Sequence, residues 1–239
     1  MGLFEHDTTK IHYQTSGDGF PVLAIAPGGM RSTIDAWSRS PWHPAERLSE
    51  GYRVITMDQR NAGKSFAPVT RDDGWDSYTA DQLALLDHLG VERFAIVGMC
   101  IGGSYIAGLI RAVPERVACA VMLQPIGLED NREAFYTMFR GWVDEVRDRH
   151  PEADDDVWDR FRQRMFGGDF MFNATREQIA EIDTPLLVLR GDDLYHPEAI
   201  CRAVADLAKN AELVEHWKEG EDVDRAGQAI AAFLAAHTS

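Results

Sequence analysis

Cysteine is scarce in this chain: only Cys100, Cys119 and Cys201 occur in 239 residues. Three widely scattered thiols cannot make the disulfide framework of a small secreted domain. Basic residues are also few, with 24 Lys and Arg against 39 Asp and Glu and a formal charge of -15. Nucleic acid and anionic membrane both need clustered cations to displace counterions, so neither is an expected partner. No apolar run approaches the ~20 residues that span a bilayer. The first residues lack the basic-then-apolar order of a signal peptide, and His6 stands where a myristoylation signal needs Ser or Thr. A cytoplasmic, reducing location is the expectation. Cofactor motifs are missing too. The segment Gly63–Lys64–Ser65 looks like part of a phosphate loop, but the required upstream glycine is Asp58. The pairs His6 and His12, or His43 and His88, lack the company and spacing of a metal site. The chain is therefore read as needing no cofactor and no metal, with a small, partly apolar molecule as its partner and its oligomeric state open.

What the chain has is 45% hydrophobic residues at a length that suits one substantial core. Strand-length apolar segments alternate with longer helical patterns, the signature of an α/β protein with a mainly parallel, doubly wound sheet. An antiparallel hairpin is expected from Leu3 to Asp7 and Lys10 to Gln14. Further strands are expected at 22–26, 53–57, 94–97, 118–123, 186–189 and 212–215. Helices are expected near 45–48, 79–89, 103–112, 198–208 and 223–236. In the last, Val223, Ala226, Ile230, Phe233 and Leu234 share one stripe that would pack on the sheet. The alternation stops between Leu123 and Leu186. The segment 127–182, rich in aromatics such as Phe135, Phe139, Trp142, Trp158 and Phe161, reads as a helical cap inserted after the sixth strand, with 1–126 and 183–239 as the core. A cap there would sit over the carboxyl ends of the strands, where such sheets bind ligands. Its aromatics either line an apolar pocket or hold the cap together, and for any single ring the second role is the commoner.

The sharpest local signal is Gly98–Met99–Cys100–Ile101–Gly102–Gly103, after the apolar run 93–97 and before a helical stretch from Ser104. A strand, sharp turn and helix in this order form a nucleophile elbow, here with cysteine where serine is usual. The strained turn crowds any Cβ two residues to either side, hence Gly98 and Gly102. The amide of Ile101 would lie at a helix N-terminus, where partial positive charge favours a thiolate and a developing oxyanion. The bland alternative is an inert buried thiol.

These residues, with three other segments, resemble the α/β-hydrolase superfamily over essentially the whole chain. The run from Pro21 to Met30 is similar to the family's third strand and oxyanion-hole loop, with Pro27 in place of a frequent histidine. The run from Tyr52 to Ser65 is similar to its Asp-x-Arg-Gly-x-Gly-x-Ser loop, with Asn61 replacing a glycine. The helix from Ala107 and its exit Pro114–Glu115–Arg116–Val117 resemble the segment after the elbow. The cysteine elbow looks most like dienelactone hydrolases, and the flanking segments look more like lactonases, esterases and aminopeptidases.

The resemblance implies a nucleophile, Cys100, and two oxyanion donors, the amide of Ile101 and that of Gly29 or Met30. It also implies a histidine base between the last strand and last helix, yet the segment from Trp217 to Asp222 contains none. His196, in the loop after the seventh strand where the family keeps its acid, is the first substitute. His216 is the second, His237 on the final helix is the third and is expected to be remote, and the absence of any histidine base is the remaining possibility. The acid is Asp193 or Asp192 by position, while Glu221 and Asp222 occupy the loop that lost the histidine. All four carboxylates are otherwise ordinary solvated loop or capping groups. The expected activity is hydrolysis of a small ester, lactone or thioester through an acyl-cysteine. An acyltransferase using the same cysteine is the near alternative, and a non-catalytic binding or scaffold protein is the alternative of another class.

Overall fold

The computed structural model describes residues 1–238. Eight strands form one sheet: β1 (Gly2–His6), β2 (Thr9–Ser16), β3 (Phe20–Ile25), β4 (Tyr52–Met57), β5 (Phe94–Met99), β6 (Val117–Leu123), β7 (Leu186–Leu189) and β8 (Ala211–Val214), in the order β1-β2-β4-β3-β5-β6-β7-β8. The β1–β2 hairpin is antiparallel and joins β4 antiparallel, and every pair from β4 onward is parallel. This is the α/β architecture that the alternation of apolar segments predicts. β5 and β6 are buried along their whole length, which is why they read as unbroken apolar runs rather than alternating ones.

The helices are α1 (Pro44–Leu48), α2 (Trp75–His88), α3 (Gly102–Ala112), α4 (Arg132–Val146), α5 (Asp155–Phe166), α6 (Arg176–Ala180), α7 (Glu198–Leu207) and α8 (Asp222–His237). They cover both faces of the sheet. One core includes Leu85, Tyr105, Ile106 and Ile200 from α2, α3 and α7. The other includes Leu48 from α1 and the α8 stripe Ala226, Ile230, Phe233 and Leu234, with Trp37 and Trp42. The strand order reverses around β3: the chain goes from β3 to β4 on one side and returns past β3 to β5 on the other. Such a reversal leaves a crevice beyond the carboxyl ends of β3 and β5.

Between β6 and β7 lie α4, α5 and α6. Their aromatics are mostly a packing cluster. Phe135, Phe139, Trp142, Trp158, Phe161 and Phe166 are all buried, and Phe139, Trp142 and Phe161 meet edge-on at 5.4–5.9 Å between ring centroids. Polar contacts fasten this helical segment to the rest. Arg31, in the loop after β3, forms a two-pronged pair with Glu145 of α4 at 2.7 and 2.8 Å. Trp75 donates its indole N–H to the carbonyl of Met165 at 2.7 Å, and Glu152 accepts from the Val69 amide at 2.9 Å. Beneath it, the buried guanidinium of Arg60 pairs with the buried carboxylates of Asp73 and Asp81.

Candidate active site

β5 ends in a turn whose geometry only a few residues tolerate. Cys100 has φ 61°, in the left-handed region where a side chain is strained. The turn is held by backbone bonds: Cys100 N–H to the Leu123 carbonyl at 3.0 Å, with the Cys100 carbonyl accepting from Gly103 at 3.1 Å and Ile126 at 3.2 Å. The space is as tight as the strain implies. A Cβ on Gly98 would sit 2.8 Å from the Gly102 carbonyl oxygen, and one on Gly102 would sit 3.0 Å from that of Ile25. α3 begins immediately after, at Gly102. Cys100 is half-buried, whereas Cys119 and Cys201 are fully enclosed.

The loop after β3 comes up beside the elbow. The backbone amides of Gly28 in this loop and of Ile101 at the start of α3 lie near enough to Cys100 to favour its anion. Gly29 and Met30, the pair that the sequence singles out, follow directly in a turn of 3₁₀ helix spanning Gly29–Arg31. Gly28 has φ 121° and Gly29 φ 59°, both in the region where glycine is at ease and other residues are strained. Met138 of α4 packs over Gly29, its Sδ 3.0 Å from where a Cβ would lie.

His196 reaches the same place from the loop after β7. Its Nδ1 lies 2.8 Å from both carboxylate oxygens of Asp193. The same carboxylate accepts the amides of Tyr195 at 3.0 Å and His196 at 3.1 Å, so acid and imidazole are fixed by one tight turn. His196 is buried, and its Nε2 makes no hydrogen bond of ordinary geometry among the described residues. What it approaches is the Cys100 thiol, and the two groups act on each other electrostatically.

That contact sets the charge of the site. Burial pushes the Cys100 thiol up, but the neighbouring His196 imidazole, then the amides of Gly28 and Ile101, outweigh it, and the thiol ends below its ordinary value. Burial likewise lowers His196, but Cys100 first and Asp193 second raise it to about 9. Asp193, pushed up by burial, is brought below the usual carboxylate range by His196 and the two amides. The two shifts favour a thiolate beside an imidazolium over a neutral pair, and the protons belong to the pair rather than to either residue. Cys119 and Cys201 are pushed the other way by burial, to about 12 and about 11.

The other candidates lie apart. His216 is exposed, on a small cleft of about 120 Å³ with Asp192, Trp217 and Lys218. Asp192 pairs with Lys218 at 2.5 Å rather than with a histidine. Glu221 is exposed just ahead of α8, and Asp222 pairs with Arg225 one turn on. The sequence reading passed over Gly28, Lys218 and Gln124. Only the glycine carried a signal, as one of two consecutive glycines after a strand. Among the described residues, no group of three His, Cys, Asp or Glu is placed to hold a metal ion, and no helix is long and apolar enough to cross a membrane.

Comparison with known proteins agrees with this geometry at the level of the fold. The non-heme chloroperoxidase of Streptomyces lividans is 37% identical over 123 residues, which cover 50% of this chain but only 42% of that relative, less than half its length. The 2-hydroxy-6-oxononadienedioate/2-hydroxy-6-oxononatrienedioate hydrolase of Paraburkholderia xenovorans is 25% identical over 265 aligned positions, covering 95% of this chain and 91% of the relative. Among solved structures, the meta-cleavage product hydrolase of Pseudomonas fluorescens IP01 superposes with a TM-score of 0.72 at 21% identity, covering 95% of each chain. The sequence profile of the α/β-hydrolase fold matches residues 21–190, from the start of β3 to the end of β7. With that match over most of its length, the chain belongs to the α/β-hydrolase fold family.

Proposed function

We propose that this protein is a cofactor-independent hydrolase that cleaves a small ester, lactone or thioester through an acyl intermediate on Cys100. The observation that carries the reading is a half-buried cysteine on a left-handed elbow, facing a buried imidazole whose other nitrogen is held by a carboxylate. Hydrolases among the relatives support the reaction class.

The chemistry follows from the charges. The Cys100 thiolate attacks the substrate carbonyl, forming the sulfur–carbon bond while the carbonyl electrons move to oxygen. The amides of Gly28 and Ile101, with those of Gly29 and Met30 next in the loop, are the donors available to that oxyanion. Collapse breaks the bond to the leaving group, which takes the proton from His196 Nε2. The product is a neutral thioester, so the negative charge that raised His196 has gone. Its affinity for a proton falls, and it becomes a base just when a water must be deprotonated. That water attacks the thioester, the second tetrahedral species expels the Cys100 thiolate, and the proton stays on His196. Asp193 holds the imidazole in one orientation throughout and stabilises its charged form. The helices between β6 and β7 act as a cap that excludes bulk water, with Met138 offering an apolar wall beside the oxyanion loop.

The test is intact-mass analysis after rapid mixing with short-chain aryl esters, lactones and thioesters. A transient mass gain equal to the acyl group, located on Cys100 and absent in Cys100→Ala, is the expected result. Release of the acyl group to an added amine or alcohol faster than to water would make the protein an acyltransferase. Neither adduct nor turnover across the panel, with a small ligand still raising the melting temperature, would establish a binding protein.

A further inference from the structure

In the loop from Trp217 to Asp222, where the family resemblance leads one to expect a histidine, the chain presents a lysine. Trp217 is buried and donates its indole N–H to the Arg190 carbonyl at 2.7 Å, which fixes the loop against the segment that carries Asp193 and His196. Lys218 then reaches two groups at the edge of the site. Its Nζ lies 2.5 Å from Asp192 Oδ1 and 3.3 Å from Gln124 Oε1. Gln124 follows β6 with φ 40°, next to Leu123, whose carbonyl accepts the Cys100 amide. Lys218 thus ties together the two loops that flank the elbow.

The charge balance gives this bridge a purpose. Asp192 and Asp193 are adjacent carboxylates and one imidazole serves the site. The neighbouring cations are already engaged: Arg190 pairs with Glu198 and Glu215, and Arg202 pairs with the same two acids. On the α2 and α3 side, Arg60 is taken by Asp73 and Asp81, and Tyr78 and Tyr105 are held protonated by burial. Glu219 of the same loop is exposed. Among the described residues, Lys218 is the one ion-pair partner of Asp192.

We propose that Lys218 is a positioning residue: by neutralising Asp192 and bridging to Gln124, it leaves Asp193 alone to hold His196 and keeps an unpaired negative charge away from the Cys100 thiolate. The proposal rests on the reading of Cys100 and His196 as the working pair. Without Lys218, Asp192 adds a bare anion one residue from Asp193. A nearby anion disfavours the thiolate, so Cys100 would ionise at higher pH.

The test is the pH dependence of Cys100 alkylation by iodoacetamide, a neutral reagent whose approach does not respond to the lost charge. In Lys218→Met, the alkylation midpoint should move up by about half a pH unit, so that at any pH below the wild-type midpoint the rate falls about threefold. Lys218→Arg should stay near wild type. Lys218→Met combined with Asp192→Asn should return to wild type, because the unpaired charge is gone although the bridge is still broken. A double variant as slow as Lys218→Met would assign Lys218 a purely structural role and overturn the proposal. So would a Lys218→Met profile that coincides with wild type. A wild-type profile like that of an ordinary thiol would overturn it together with the ion pair on which it rests, whereas an acidic wild-type profile unmoved by Lys218→Met would sink the lysine's role alone.

Discussion

His196 and His216 show how much a residue's surroundings decide its chemistry. Both lie near the carboxyl edge of the sheet, but His196 is buried with Nδ1 on Asp193, and His216 is exposed. Loss of a general base commonly costs 10²-fold or more. Ester turnover of His196→Ala should therefore fall by about two orders of magnitude, while His216→Ala stays within about twofold of wild type. The reverse ranking in steady-state kinetics would move the base to His216. His196 as the candidate is legible in the sequence, because the loop after the last strand holds no histidine and the one after the seventh does. Its pairing with Asp193 rather than Asp192 is not. The two acids are adjacent and alike in sequence, and only the folded loop shows Asp193 on Nδ1 of His196 and Asp192 on Lys218, 26 residues further along the chain. The oxyanion loop shows the same limit. Consecutive glycines mark a tight turn, but their pattern does not say which of the turn's amides comes nearest the sulfur.

Elements were more legible than contacts. The central parallel strands appear in the sequence as apolar runs because both faces of the sheet are covered there, unlike the half-exposed edge strand β8, and the α8 stripe appears because one face of that helix is buried. The aromatics between β6 and β7 could not be assigned from pattern, since packing and pocket lining use the same residues. The contacts resolve most of them as packing. Below that segment, the loop after β4 is fastened to α2 by Arg60 between Asp73 and Asp81, all three buried. Removing only the cation leaves two buried carboxylates without compensation. Burial already raises the Asp81 carboxyl against the pull of Arg60. Arg60→Met should cost about 3–5 kcal/mol in urea unfolding. A loss below about 1 kcal/mol would show that the triad is a solvated surface group in practice. In the triple variant with Asp73→Asn and Asp81→Asn, a large part of the loss should return, since the cost lies in the unpaired charges.

Across the whole molecule the site is assembled from distant parts of the chain: the elbow after β5, the loop after β3, and the loop after β7. The sheet brings them together because β3 and β5 are neighbours at the point where the strand order reverses. The fold supplies the place, and the charge pair supplies the chemistry. The sign of the pH dependence is fixed by the two shifts. Cys100 is held below its ordinary value, so its thiolate survives as pH falls beneath the usual thiol midpoint of about 8.5. His196 is raised to about 9, so the imidazolium that stabilises it persists well above the usual midpoint of about 6.5. The most direct measurement is the ultraviolet absorbance of thiolate during a pH titration, taken as the difference between the wild type and Cys100→Ala. The account predicts one thiolate present at neutral pH and lost only on acidification, with the midpoint returning toward that of a free thiol in His196→Ala. A difference that appears only above pH 8.5 in the wild type, unchanged by His196→Ala, would contradict it.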